Sequence, residues 1–71
     1  MKYLIVVEKG RRNYSAYVPD LPGCAATGKT RKEVEKNIRS AIAWHLQGLK
    51  EDGIPPHPPA AYAQYEEIVL S

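Results

Sequence analysis

The most constrained stretch of backbone in this chain is the turn at residues 19–23, which reads Pro-Asp-Leu-Pro-Gly. Proline has no amide hydrogen to donate to a sheet, so Pro19 ends any strand that precedes it. Asp20 is expected to hydrogen-bond nearby backbone, and Pro22 and Gly23 fit the two central positions of a type II turn. The sequence therefore predicts that a strand ends here and that the chain reverses direction.

Short segments of β-forming or small residues lie on both sides of this turn. Residues 3–8 and 13–18 are rich in Tyr, Val and Ile, which favours strands. Between them, residues 9–12 contain Gly10, which can adopt the positive φ of a tight turn. Residues 24–28 predict a third short strand, whose small side chains would let another element approach the sheet closely.

The pairing of the first two strands determines which residues share a face of the sheet. A hairpin closed at Gly10 would pair Val7 with Tyr14, and its opposite face would carry Leu4, Val6 and Tyr17. Both faces are then partly apolar, whereas a sheet exposed to water on one side alternates more cleanly. We therefore expect one face to take a helix and the other to meet another subunit.

A helix is predicted over residues 31–51. Thr30 and Glu33 match a capping box, in which each side chain accepts a hydrogen bond from the other residue's amide. Gly53 can take the left-handed conformation that ends a helix. One arc of this helix is apolar at ~100° per residue. Its members are Val34, Ile38, Ala41, Ile42, His45, Leu46 and Leu49.

Trp44 lies roughly 80° outside this arc, counting ~100° per residue. Its side chain can either cover the return segment at Pro55 and Pro56 or contact a partner, as interface tryptophans often do. Packing under the two prolines is the position predicted here.

The segment after the helix is rich in proline. Residues 54–59 contain four prolines and are expected to form an extended linker. Residues 65–70 predict a final strand, which must pair with a sheet in its own or a neighbouring subunit. The predicted fold class is α+β: residues 1–71 form a single small β-β-β-α-β domain, an antiparallel sheet with one helix packed on one face.

Length and charge exclude several classes of protein. A chain of 71 residues supports one small core, and its single cysteine cannot form an internal disulfide, so a homo-oligomer (dimer or tetramer) is expected. Only five uninterrupted apolar residues precede Glu8, too few for a signal peptide (~7–15) or a spanning helix (~20), so a cytoplasmic protein with no membrane role is expected. Ten basic against eight acidic residues do not by themselves indicate nucleic-acid binding.

No group of residues matches the pattern of a reactive centre. Neighbouring Glu66 and Glu67 would point to opposite faces of a strand, so they cannot both enter one metal site. His45 and His57 have no second ligand at metal spacing, and Cys24 has no local base to activate it. No catalytic, cofactor-binding or metal site is predicted, and the chain is expected not to be an enzyme.

Three segments occur in an order that resembles the HicB family of antitoxins. They are Val18-Pro19-Asp20-Leu21-Pro22-Gly23-Cys24, then Thr27-Gly28-Lys29-Thr30, then the run from Ala41-Ile42 through Leu46-Gln47-Gly48-Leu49 to Asp52-Gly53-Ile54-Pro55-Pro56. The match covers about residues 1–59. The resemblance implies a degenerate ribonuclease H-like fold and a small mRNA-cleaving partner, the HicA toxin, which the antitoxin covers. The promoter-binding C-terminal segment of many members is not expected here.

The predicted function is therefore that of a HicB-like antitoxin that sterically inhibits a HicA-type toxin. The alternatives are a degenerate ribonuclease H-like nucleic-acid-binding protein and an orphan self-associating module. Direct nucleic-acid binding, suggested by Arg11 and Arg12 beside strand tyrosines, is the less favoured interpretation. Candidate contacts with a partner or a second copy are Leu4, Val6, Tyr17, Pro19, Asp20, Leu21, Pro22, Trp44, Tyr65, Ile68 and Leu70.

Overall fold

The computed structural model describes residues 1–70 and contains a three-stranded antiparallel sheet with one helix on one face. The strands are β1 (Val6–Lys9), β2 (Tyr14–Tyr17) and β3 (Ala25–Gly28), and they lie side by side in that order. The helix α1 (Arg31–Glu51) packs against β2 and β3. The predicted α+β class, with a helix on one face of an antiparallel sheet, is confirmed.

The register of the first hairpin differs from the predicted one by two residues. Val6 pairs with Tyr17 and Val7 with Ala16, so the predicted pairing of Val7 with Tyr14 is wrong. The turn lies one residue later than expected, at residues 10–13, and the Gly10 amide donates to the carbonyl of Asn13 across it at 2.8 Å. Side chains alternate between faces with a period of two, so an even shift leaves the predicted faces unchanged.

The turn after β2 has the predicted conformation. Gly23 has a φ of 82°, and the Cys24 amide donates to the Leu21 carbonyl at 3.0 Å, as in a type II turn. The Val18 amide also donates to the Cys24 carbonyl at 3.1 Å, which holds the two ends of the turn together. The predicted roles of Pro22 and Gly23 are therefore confirmed.

The core lies between the sheet and the helix, and the turn contributes to it. Leu21, Val34 and Ile38 are completely buried. Leu21 was expected to contact a partner, but its side chain points inward from the turn and has no exposed surface, so that expectation is wrong. The remaining buried apolar residues are Ala16, Val18 and Cys24.

The helix begins where β3 comes closest to it. A Cβ atom on Gly28 would lie 2.5 Å from the amide nitrogen of Val34, so only glycine fits without displacing backbone. The Thr30 hydroxyl accepts from the Glu33 amide at 3.1 Å, which confirms the predicted cap. The Glu33 carboxylate accepts from the Lys29 amide at 3.1 Å, rather than from Thr30 as a capping box requires.

The chain after α1 forms neither helix nor strand among the described residues. Gly53 has a φ of 69° and ends the helix as predicted. The Tyr3 hydroxyl then donates to the His57 carbonyl at 2.7 Å, which attaches the proline-rich segment to the start of the chain. The predicted strand at residues 65–70 is not formed in this single chain, because the segment lies beside no sheet edge with which it could pair.

Candidate functional site

Residues 54–61 follow the helix, and we call them the return segment. Asp20 attaches this segment to the turn after β2. Its carboxylate accepts hydrogen bonds from the amides of Ala60 at 3.0 Å and Ala61 at 2.9 Å. The bonds from Ala61 and Ala60 lower the pKa of Asp20, because they stabilise the charged form. The expectation that Asp20 bonds nearby backbone is wrong, since its partners lie about forty residues away in sequence.

The face of the sheet opposite the helix carries the three apolar residues predicted for it. Leu4 and Val6 are partly buried, and Tyr17 is 45% exposed. Tyr17 pairs across the strands with Ala25, so both side chains lie on this face. An open depression runs along β2 and β3 and is lined by Ser15, Ala16, Tyr17, Ala25, Ala26 and Thr27.

Trp44 does not pack under the prolines, so its predicted position is wrong. Its side chain is 76% exposed and lines a second open depression with Gly23 and His45. Pro55 and Pro56 instead line a depression with Leu46 on another side of the helix. Leu46 belongs to the apolar arc of α1, whereas Trp44 lies outside that arc.

The two depressions beside Tyr17 and Trp44 adjoin one another, because Ala25 lines both of them. We call the patch formed by Tyr17, Ala25 and Trp44 the aromatic surface. It extends from the open face of the sheet around the start of β3 to the flank of α1. Tyrosine and tryptophan are enriched at the centres of protein–protein interfaces.

The other predicted contacts divide between the turn and the C-terminal segment. Pro19 and Pro22 are exposed and line a depression with His57, Pro58 and Ala60. The return segment thus occupies part of the surface that the turn was expected to offer to a partner. The side chains of Tyr65, Ile68 and Leu70 are highly exposed and contact no strand.

Two features of this site were missed in the sequence. Ala25 was treated only as a small strand residue, yet it joins the two aromatic side chains. The two alanine amides bound by Asp20 carry no side-chain signal that could reveal them. Each feature depends on contacts between distant segments, which local composition does not encode.

Among residues 1–70, the titratable groups offer neither an activated thiol nor a cluster of metal ligands. Burial raises the pKa of the Cys24 thiol, which disfavours the reactive thiolate. No three His, Cys, Asp or Glu side chains in this range lie close enough together to hold a metal ion. His45 is partly buried in the helix face, and the side chain of His57 is exposed.

No described helix has both the length and the apolar character needed to cross a membrane. The helix α1 carries charged residues along its outer side, among them Lys32, Lys36 and Arg39, all exposed.

Comparison with known proteins identifies relatives in a phage, an archaeon and a bacterium. The chain is 42% identical over 52 residues to an uncharacterised 14.9 kDa protein of Haemophilus phage HP1, covering 73% of this chain. It spans only 39% of that phage protein's length. It is also 42% identical over 52 residues to a UPF0150 protein of Thermoplasma acidophilum, covering 72% of this chain and 75% of the relative. A UPF0150 protein of Helicobacter pylori is 43% identical over 47 residues, with 66% and 65% covered.

One solved structure and one family model extend the comparison to the fold. A chain of the HicA3 and HicB3 toxin-antitoxin complex superposes with a TM-score of 0.70 at 35% identity, covering 83% of this chain and 70% of that one. The family model described as HicB-like antitoxin of bacterial toxin-antitoxin system matches residues 3–68. This match includes all three motif segments and extends past the last of them. This chain therefore belongs to the HicB-like antitoxin family.

Proposed function

We propose that this chain is an antitoxin that binds a small mRNA-cleaving toxin of the HicA type in the cytoplasm and inhibits it sterically. The observation that carries the proposal is the 35% identity, at a TM-score of 0.70, to a chain of a toxin–antitoxin complex. Inhibition of this kind needs a surface that fits the partner and no chemistry of its own. The chain acts as a binding protein and not as an enzyme.

The aromatic surface is where the toxin docks. Tyr17 and Trp44 each offer a large apolar area with few rotatable bonds, so their ordering on binding costs little entropy. Ala25 lies between the two depressions they line, which leaves room for a partner side chain to insert. The rigid turn after β2 and the tight contact of Gly28 with Val34 hold the supporting elements in place before binding.

The charge on this part of the molecule suits a partner that binds RNA. A protein that cleaves mRNA must hold a phosphate backbone, so its active surface is basic. Within the strands, the open face of the sheet carries one charged side chain, Glu8, which pairs with Ser15. The basic Arg11 and Arg12 lie instead at the tip of the hairpin, which adjoins the Gly28 end of β3 and not the Ala25 end. The open face therefore does not repel a basic partner.

Truncation of the two aromatic residues tests the proposal. The toxin for the test is to be sought as a short basic protein encoded immediately beside this chain, and binding to it is measured by calorimetric titration. We expect Tyr17→Ala and Trp44→Ala each to weaken binding by at least ~30-fold, which corresponds to about 2 kcal/mol for a residue at the centre of an interface. The matched control is Tyr62→Ala, because Tyr62 is 80% exposed but lies outside the aromatic surface. This control should bind as the unchanged chain does.

A cleavage assay then separates inhibition from binding alone. The unchanged chain should abolish cleavage of an mRNA by the toxin, and the two aromatic variants should restore it in proportion to their loss of affinity. Uninhibited cleavage in the presence of excess folded chain would refute the antitoxin function. Equal affinity of the aromatic variants and the control would refute the assigned surface alone.

Direct nucleic-acid binding is the second candidate, because Lys9, Arg11 and Arg12 are exposed together at the hairpin tip. Titration of the chain with RNA in the absence of toxin distinguishes it. A salt-dependent affinity that is lost in Arg11→Ala would favour this candidate. Metal-dependent cleavage of that RNA, abolished by Glu8→Ala, would favour a nuclease.

A further inference from the structure

We propose that residues 65–70 of one chain add as a strand to the free edge of β1 in a second copy of the same chain. This proposal concerns self-association and does not depend on the identity of the toxin. We call residues 65–70 the tail. The proposal rests on three features of the structure: the exposure of the tail, the difference between the two edges of the sheet, and the similar distribution of apolar residues in the tail and β1.

The tail is an apolar segment without a partner. Tyr65, Val69 and Leu70 are 98%, 87% and 90% exposed, and Ile68 is 72% exposed. The Cα radius of gyration is 14.5 Å, against about 11 Å for a compact chain of this length. The longest dimension of the molecule is 53 Å, because the tail extends away from the body. An apolar strand left in this state favours pairing with another chain.

The edge of the sheet at β3 is less available than the edge at β1, because a helix side chain is hydrogen-bonded to the β3 backbone. The helix packs on β3, and Gly28 allows it to approach to the backbone of Val34. The side-chain amide of Asn37 donates to the Thr27 carbonyl at 2.8 Å, which occupies a backbone acceptor of this strand. An incoming strand would have to compete with Asn37 for this acceptor.

The edge at β1 is open. The strand pairs with β2 on one side, and its other side has no strand beside it. The helix contacts β2 and β3, and Val7, on the helix side of β1, remains 38% exposed. An added strand would pair the free backbone groups of β1 and cover this side chain.

The tail and β1 match in the distribution of their apolar residues. Around β1, Ile5 and Val7 lie on the helix side while Leu4 and Val6 lie on the open side. In a strand, Ile68 and Leu70 would lie on one face, and Tyr65 and Val69 on the other. Both segments are therefore apolar on both faces, as adjacent inner strands of a sheet are.

Charge supports the same pairing. The tail carries Glu66 and Glu67, and the stretch around β1 has Lys2 at one end and Lys9 at the other. An antiparallel strand that places Val69 opposite Val7 sets Glu67 opposite Lys9 and Ile68 opposite Glu8. Opposite charges directly across adjacent strands attract.

A second copy is the occupant because the tail leaves its own body from a fixed point. Asp20 holds Ala60 and Ala61, and the nine residues beyond them reach about 30 Å when extended. In the single chain this segment extends outward while its own β1 edge stays open. Mutual exchange of tails between two copies gives a closed dimer with two identical pairings.

The test introduces proline into the full chain, because proline cannot donate a hydrogen bond to a ladder. Val69→Pro alters an 87% exposed residue, so the fold of the body is unaffected. The matched control is Ala63→Pro, which lies between the segment held by Asp20 and the pairing residues. Light scattering coupled to size exclusion measures the mass of each protein, and circular dichroism checks its fold.

We expect the unchanged chain and Ala63→Pro to have twice the mass of a single chain, and Val69→Pro to have the mass of one. In a mixture of isotope-labelled and unlabelled chains, filtered nuclear Overhauser effects should connect the methyl groups of Val69 and Val7 between molecules. A monomeric unchanged chain, a dimeric Val69→Pro chain, or contacts between these residues within one molecule would each overturn the proposal.

Discussion

At the scale of single residues, Asp20 joins two distant parts of the chain. It lies in the rigid turn after β2 and accepts two amide hydrogens from the segment that follows the prolines. A carboxylate that accepts two backbone hydrogen bonds is stabilised in its charged form. The side chain therefore determines where the return segment leaves the body, and protonation weakens that attachment.

The attachment at Asp20 should depend on pH in a defined direction. The hydrogen bonds lower the pKa of Asp20 in the folded chain. The contribution is thus complete above the unfolded-state pKa of ~3.9, and it is lost as the pH falls through the lower, folded-state value. We expect the amide proton shifts of Ala60 and Ala61 to change together in that acidic range. Nuclear magnetic resonance titration measures both shifts.

The matched variant for this titration is Asp20→Asn, whose amide oxygen still accepts but does not titrate in this range. Its Ala60 and Ala61 shifts should show no acidic transition. If the two amides of the unchanged chain were indifferent to pH, or changed equally in Asp20→Asn, the carboxylate would not be holding them.

At the scale of secondary-structure elements, the contact between β3 and α1 requires glycine, which has no side chain, at position 28. A Cβ atom on Gly28 would lie 2.5 Å from the nitrogen and 2.8 Å from the Cα atom of Val34. These are backbone atoms, so the clash cannot be relieved by rotating a side chain. We expect Gly28→Ala to lower the free energy of unfolding by about 1–3 kcal/mol. Urea denaturation measures this as a lower midpoint at an unchanged slope.

Gly48→Ala is the control for this substitution, since a Cβ atom at Gly48 meets nothing within 4 Å. Alanine is the better helix former, so this variant should gain up to about 1 kcal/mol. Equal stability of Gly28→Ala and the unchanged chain would show that the strand and the helix can separate at little cost.

Elements that are determined by a few residues close together in the chain could be predicted from the sequence. Thr30 and Gly53 bracket the helix, and its observed bounds, Arg31–Glu51, are the predicted ones. The same holds for Pro22 and Gly23, whose backbone preferences specify a turn wherever they occur. The apolar face opposite the helix also followed from alternation, because the two-residue error in register left Tyr17 on that face.

The features that depend on distant contacts could not be predicted. The position of Trp44 depends on where the return segment lies relative to the helix. The helical periodicity alone allowed this side chain either to pack against the prolines or to remain free for a partner. Asp20 binds backbone amides of two alanines, and only their place in the folded chain sets them apart from other alanines. A strand at residues 65–70 has the right composition, but composition does not supply the edge with which it would pair.

At the scale of the whole molecule, residues 1–61 (the body) and the segment after them differ in whether their backbone groups are held by hydrogen bonds. The sheet, the helix and the Asp20 attachment hold the chain as far as Ala61. Beyond that residue the described side chains are exposed and the backbone pairs with no strand. Extended segments of this kind are preferred sites of proteolysis, whereas backbone within a helix or a sheet is protected.

This difference predicts that cleavage of the tail depends on the concentration of the chain. A glutamate-specific protease should cut dilute protein after Glu66 or Glu67 while leaving the helical Glu33, Glu35 and Glu51 intact, as mass spectrometry of the products would show. If tails pair between copies, the rate of cleavage per chain should fall as the chain is concentrated, because pairing withdraws the tail from the protease. Saturation of the protease would lower the rate in the same way, so Val69→Pro is digested in parallel at each concentration. Identical concentration dependence of the unchanged chain and this variant would mean that the tail remains unpaired in solution.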